Sequence, residues 1–357
     1  MANLAITYQN IADILSFDLP ESDLEHRLSK PSFDWDAIVV EGSKHLVLPT
    51  IFCRLEAKGL THLMPEELYT YLNELTQLNK NRNLAIIDQI DALSETLNSH
   101  NIDHVFLKGA ALLVGDFYKN NAERMLGDID ILVAEEQLNK AYEILLNEDY
   151  IASDQTFGHD FFEHKHLPRL KTEKHICAVE LHKKLFVSFK DKVLTNSQIL
   201  QDKTTDKSIY VPSINHLIRH NILNYQINDQ GGIYNSISFR SAYDSLVLIK
   251  SVNYDFELDN AKIFRKYINI IGLFFKDLSH LKPEHNAATS FYIFKLKHIK
   301  FYKLWNKLVA NVVFLKIVMG RIPHFLFNKA YRTAVLKDRS RIIRHFRSVF
   351  GNSTNLF

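Results

Sequence analysis

Asp128 and Asp130 stand two residues apart, alternating with Ile129 and Ile131 before the run closes on Leu132 and Val133. A period of two predicts a strand that turns both carboxylates to one face and both isoleucines into the core. Two acids so placed repel each other unless a cation neutralises them. Hard divalent ions such as Mg²⁺ or Mn²⁺ favour carboxylate oxygens together with substrate phosphates. A third acid follows the same pattern, because Glu180 lies between Val179 and Leu181 and projects from a strand whose other face is apolar. Three carboxylates on neighbouring strands can hold two metals. Such a pair aligns an attacking hydroxyl and neutralises a leaving pyrophosphate, which is phosphoryl-transfer chemistry without a glycine-rich loop.

The elements that must position these acids follow from periodicity. Residues 1–100 read as helices: Pro65, Glu66 and Glu67 open one, and apolar residues recur at Leu68, Leu72, Leu75 and Leu78, then at Leu84, Ile87, Ile90, Leu93 and Leu97. The pattern then shortens. Residues 104–107 suit a buried strand, 109–114 a helix start, 128–133 a strand, 135–148 an amphipathic helix and 176–182 another strand. Polar joints near 98–103 and 201–208 divide the chain into a helical N-terminal region (1–100), a small mixed-sheet core (101–205), a helical domain (206–290) and a basic helical tail (291–357). The expected class is α+β, a sheet core flanked by helical regions.

Composition narrows the function. With 357 residues, 46% apolar, only 11 Gly and 8 Pro, the chain is ordinary globular material dominated by regular elements. It has no GxxxxGK[ST], GxGxxG, HExxH or GxSxG motif. Cys53 and Cys177 offer no zinc spacing and no disulfide framework. The first residues lack the basic start of a secretory leader, and the longest apolar stretch, 308–319, is interrupted by Asn311 and Lys316, so no membrane span is expected and the expected location is cytoplasmic.

The residues Leu107, Lys108, Gly109, Ala110 and Ala111, then Arg124, then Gly127 to Val133, and 50 residues on Val179, Glu180, Leu181 and His182, resemble the uncharacterised nucleotidyltransferase family of the DNA polymerase β-like nucleotidyltransferase superfamily. The resemblance covers roughly residues 85–250. It implies a metal-dependent transfer of a nucleotidyl group from an NTP, ATP being the first candidate, to a hydroxyl acceptor it does not name. It further implies that Asp128, Asp130 and Glu180 are catalytic and bind Mg²⁺ or Mn²⁺, with Glu180 activating the acceptor. Lys108 and Gly109 then lie beside the nucleotide phosphates, with Arg124 and His182 near the nucleotide; Arg240 and Asp244 match a later helix of the pattern. Ala110 stands where the wider superfamily often has Ser, and the 18 residues between Gly109 and Asp128 exceed its commoner spacing.

His159, His164, His166, His175 and His182 lack the Cys partners and spacing of a zinc site, which leaves a polar hairpin with supporting roles for His166 or His182. The formal charge of +2 conceals an asymmetry. After His285 there are 14 Lys and Arg against the single acid Asp338, giving +13 and leaving −11 on the first 285 residues. Lysines 295, 297, 300, 303 and 307 interleave with aromatic and aliphatic residues, and Arg339, Arg341, Arg344 and Arg347 follow. The tail either packs on the acidic remainder or contacts a polyanion or membrane surface through residues 295–347, peripheral to the inner membrane face. The alternative function is thus a catalytically degenerate binding module of the same fold, docking on a membrane or an RNA through that tail.

Overall fold

The computed structural model describes residues 3–153, 161–186, 193–206, 208–252 and 261–337. Four short helices come first: α1 (Leu4–Leu15), α2 (Glu21–Leu28), α3 (Trp35–Lys44) and α4 (Leu48–Ala57). In α1 the Asn3 side chain caps the first turn, and Leu4, Tyr8, Ile11 and Leu15 are buried at helical spacing. Pro65 then opens the 34-residue α5 (Glu66–Ser99), with Glu66 and Glu67 in its first turn. The two apolar runs of the sequence are one continuous helix.

Beyond α5 come β1 (His104–Phe106), α6 (Lys108–Val114), β2 (Asp128–Val133), α7 (Leu138–Asn147), β3 (Ile151–Ala152), β4 (Leu170–Lys171) and β5 (Ala178–His182). They form a five-stranded sheet in the order β1-β2-β5-β4-β3. β2 pairs antiparallel with β1 and parallel with β5, while β4 is antiparallel to both of its neighbours, so the sheet is mixed. One face carries Ile129, Ile131, Val179 and Leu181, all buried against α5 and α7. The opposite face carries Asp128, Asp130, Glu180 and His182, as the alternation requires.

Next are α8 (Asn196–Gln201), the hairpin β6 (Lys203–Asp206) and β7 (Ile209–Pro212), α9 (Ile214–Leu223), α10 (Gly231–Tyr234), α11 (Phe239–Ser251), α12 (Lys262–Ile271) and α13 (Ala287–Lys297). α9 runs on into a π-helical turn, Asn224–Asn228. α9, α11, α12 and α13 share one apolar cluster with α1 to α4, joining Ile11, Phe52, Phe239, Phe264 and Tyr292. The result is an α+β fold, a small mixed sheet flanked on both sides of the sequence by helices.

α14 (Ile299–Phe327) and α15 (Lys329–Lys337) close the described chain. α14 corrects one expectation. It runs unbroken for 29 residues through Asn311 and Lys316, and it is long and apolar enough to cross a membrane by length and composition. A single lysine or asparagine does not interrupt a helix, because its long or small polar side chain is satisfied by solvent without disturbing the backbone ladder. Within the basic tail Lys295 is buried, its Nζ donating to the carbonyls of Tyr234 at 2.8 Å and Asn235 at 3.1 Å. His159 and the arginines 339, 341, 344 and 347 lie outside the described residues.

Candidate active site

The acid face of the sheet is assembled by register. Asp130 stands opposite Glu180 across the parallel β2/β5 pair, and Leu132 stands opposite His182. Neighbouring strands lie about 4.8 Å apart, so the two carboxylates are forced into contact range. Asp130 and His182 are 2% and 1% exposed and Glu180 is 7%. Asp128, at the strand's first position, keeps 30% of its side chain open to solvent.

Protein cations now sit on these acids. Lys108 Nζ donates to Asp130 Oδ1 at 2.5 Å, and His182 Nε2 lies 2.7 Å from the same oxygen. Since a carboxylate only accepts, that imidazole nitrogen carries the proton. Arg169 Nη2 bridges Asp128 Oδ2 at 2.6 Å and Glu180 Oε1 at 2.7 Å, and its Nε adds a 3.0 Å bond to Glu180. His166 Nε2 is 3.6 Å from Glu180 Oε2. Lys108 reaches Asp130 from the first position of α6 with φ of 50°, a left-handed conformation that costs a lysine about 1–2 kcal/mol.

These contacts set the charges. Burial pushes Asp130 up, but Lys108 and His182 outweigh it and hold the carboxyl well below the usual range. Burial likewise raises Glu180, yet its hydrogen bonds to His182 and Arg169 bring it down to about 2. Burial opposes a charged His182, and the bonds to Asp130 and Glu180 overcome this and raise it. Asp128 differs: burial and the neighbouring Asp130 and Glu180 push it up. The face thus holds two acids kept ionised and one kept basic.

A divalent cation is what the family pattern implies here, and the donor set fits one. One oxygen each of Asp130 and Glu180 and one nitrogen of His182 lie within 4.8 Å of one another, all three residues buried. The His182 Nδ1 atom is buried with no hydrogen-bond partner among the described residues. Three carboxylates that recruit Lys108, Arg169 and His182 show how strongly this face calls for positive charge. Asp128 stands beside the tight group, tied to Arg169.

Arg124 takes a different place. Its Nε and Nη2 donate to both Asp244 oxygens at 3.0–3.1 Å, and Tyr118 Oη donates to Asp244 Oδ1 at 2.6 Å. Its partner is a buried acid 120 residues away. Gly109 lies beneath this guanidinium. A Cβ at Gly109 would fall on the Arg124 guanidinium, well inside contact distance, and 3.0 Å from Leu126 Cγ. Gly109→Ala should therefore cost about 1–3 kcal/mol by overpacking, seen as a lower midpoint of thermal unfolding. An unchanged midpoint would show that Arg124 can move aside.

Beside the acids, a cleft is lined by Lys108, Arg124, His220, Asn224, Asp229 and Arg240. Burial and the neighbouring Arg124 push the Arg240 guanidinium down, against the opposing pull of Asp244 and Asp229. Thus Asp130, Glu180, Lys108 and His182 converge on one point with Asp128 beside it, while Arg124 stands at the wall of the adjoining cleft and Gly109 lies against Arg124.

Sequence reasoning missed Arg169, which sits one residue before β4 and enters the site only because β4 pairs with β5. It also missed the clamp made by α5. Asn79 and Asn83 donate to the carbonyls of Ala122, Asn121 and Arg124, Arg82 donates to Leu126 O at 2.6 Å, and Gln89 bonds both the N–H and the carbonyl of Cys177. One helix thereby fixes the approach to β2 and the approach to β5. The signal was present: Asn79, Asn83 and Gln89 interrupt the apolar face of α5, and buried polar side chains on such a face must find partners.

A family model described as uncharacterised nucleotidyltransferase matches residues 31–267, a span that includes the acid face, the cleft and α5. No curated protein matches the sequence.

Proposed function

The chain belongs to the uncharacterised nucleotidyltransferase family, and from that premise we propose that it transfers a nucleoside monophosphate from an NTP to a hydroxyl acceptor with the help of Mg²⁺ or Mn²⁺. The observation that carries this reading is the buried pairing of Asp130 with Glu180 beside His182, two ionised carboxylates and an imidazole within 4.8 Å. In this reading those three residues hold the cation once His182 gives up the proton it now donates to Asp130, with Asp128 next to them. A divalent ion there supplies neutralisation of the phosphate oxygens and a fixed orientation for the α-phosphate.

The remaining roles fall to the chain's own side chains. Lys108, already at the mouth of the acid face, exchanges Asp130 for a phosphate oxygen, and Arg240 takes the outer phosphates in the cleft. The resemblance gives the proton-accepting role to Glu180. Asp128 suits it better here, because its pKa is raised whereas that of Glu180 falls to about 2, and because it is the most exposed of the three. Arg169, 41% exposed, must release Asp128 before an acceptor hydroxyl approaches.

The test is a thermal shift of the full chain with Mg²⁺ or Mn²⁺ and each of the four common NTPs. A site occupied at a hundredfold excess over its dissociation constant should add about 2.7 kcal/mol, and only with metal and nucleotide together. No shift with any NTP would end the proposal.

A further inference from the structure

α14 presents a row of exposed apolar side chains. Leu304, Leu308, Val312, Leu315, Met319, Ile322 and Leu326 are each between 51% and 65% exposed apart from Ile322 at 49%. Their spacing of three and four places them on one side of the helix, over about 33 Å at 1.5 Å per residue. Only Asn306 of the 29 residues is buried, so this is not the core helix that its composition would otherwise suit. The opposite side meets the body near the helix end, where His324 packs edge-on to Phe162 and Arg321 stacks over the same ring. The apolar row therefore faces outward on a helix that is held at the surface.

The charges around the row decide what covers it. Between His285 and Lys337 there are ten Lys and Arg and no Asp or Glu. Lys300, Lys303 and Lys307 are exposed at the start of α14, and Lys329 is exposed just past its end. Two copies pairing along this row would bring like charges together with no acid to answer them, which the flanking positions of a coiled coil require. An RNA would use the lysines and leave the leucines in water. An anionic bilayer satisfies both, taking the apolar row into the acyl boundary and the lysines at the headgroups.

We propose that α14 is a membrane-docking helix that lies in the interface of a bilayer carrying anionic lipid, with Leu304 to Leu326 buried and Lys300, Lys303 and Lys307 at the phosphates. Resting on the nucleotidyl-transfer reading above, this docking brings acceptors built on or beside lipid to the same surface as the enzyme.

Flotation of the full chain with extruded vesicles tests this directly. The protein should rise with vesicles of phosphatidylcholine containing about a third phosphatidylglycerol and bind at least tenfold less to phosphatidylcholine alone, given about 1 kcal/mol per basic residue near the surface. Two triple variants, Leu308→Glu with Leu315→Glu and Ile322→Glu, and Lys300→Glu with Lys303→Glu and Lys307→Glu, should each lose binding at least tenfold. Their melting points should match the parent, since every altered residue is exposed. Asp130→Asn should still float, which separates this proposal from the catalytic one. Failure of the parent to float on anionic vesicles overturns it. So does a solution dimer that the leucine variant dissociates, or binding to a generic RNA with no binding to vesicles.

Discussion

Asp130→Asn should lower nucleotidyl transfer by about a thousandfold or more, the size of effect seen when one preorganised charged group is removed from a reaction centre. Asp130 lies opposite Glu180 in register, is 2% exposed, and accepts from both Lys108 and His182. Asn preserves the shape and one acceptor oxygen but removes the charge that a cation needs. The metal-dependent thermal shift with NTP should vanish along with turnover. His182, raised by its bonds to Asp130 and Glu180, should fall back toward its ordinary pKa, an effect that NMR titration of the imidazole can follow. Asp128→Asn, at a site three-tenths exposed and tied to Arg169, should keep the metal-dependent shift while losing turnover if it is the proton acceptor. Pyrophosphate release at the parent's rate in Asp130→Asn would refute the assignment.

Asp244→Ala should be the most destabilising single change outside the apolar core, costing about 3–5 kcal/mol because it leaves a buried guanidinium without its partner. Asp244 and Arg124 are 2% and 11% exposed at the side chain, and Tyr118 donates to the same carboxylate. The damage should spread toward the acids. The Arg124 carbonyl accepts from both Asn79 and Asn83, and four residues further on the chain enters β2 at Asp128. A lower unfolding midpoint together with weaker NTP binding is the expected result. The double variant Arg124→Met with Asp244→Leu should recover much of the stability, since removing both charges removes the uncompensated one, yet it should not recover nucleotide binding. An Asp244→Ala protein that melts with the parent would show that water already reaches Arg124.

Much of the acid face was legible. The alternation at 128–133 and at 178–182 is a local property, and a period of two leaves no freedom about which side chains share a face. The start of α5 was equally plain, because proline and two glutamates fit a first turn whose donors are unpaired. The further residues of the resemblance were legible as types, but not as neighbours. Lys108 and His182 meet on one oxygen of Asp130, whereas Arg124 turns away to Asp244.

Local periodicity determined the elements of this protein, their buried faces and the three carboxylates, since each depends on residues a few positions apart. Tertiary structure alone decided the partners. The parallel register of β2 with β5 set Asp130 against Glu180, the pairing of β4 brought in Arg169, and α5 used Asn79, Asn83 and Gln89 to hold both strands in place. It also decided that one side of α14 is left open among the described residues. An apolar helix reads alike whether a core or a bilayer awaits it, because hydrophobicity records the wish to leave water and not the surface that answers it.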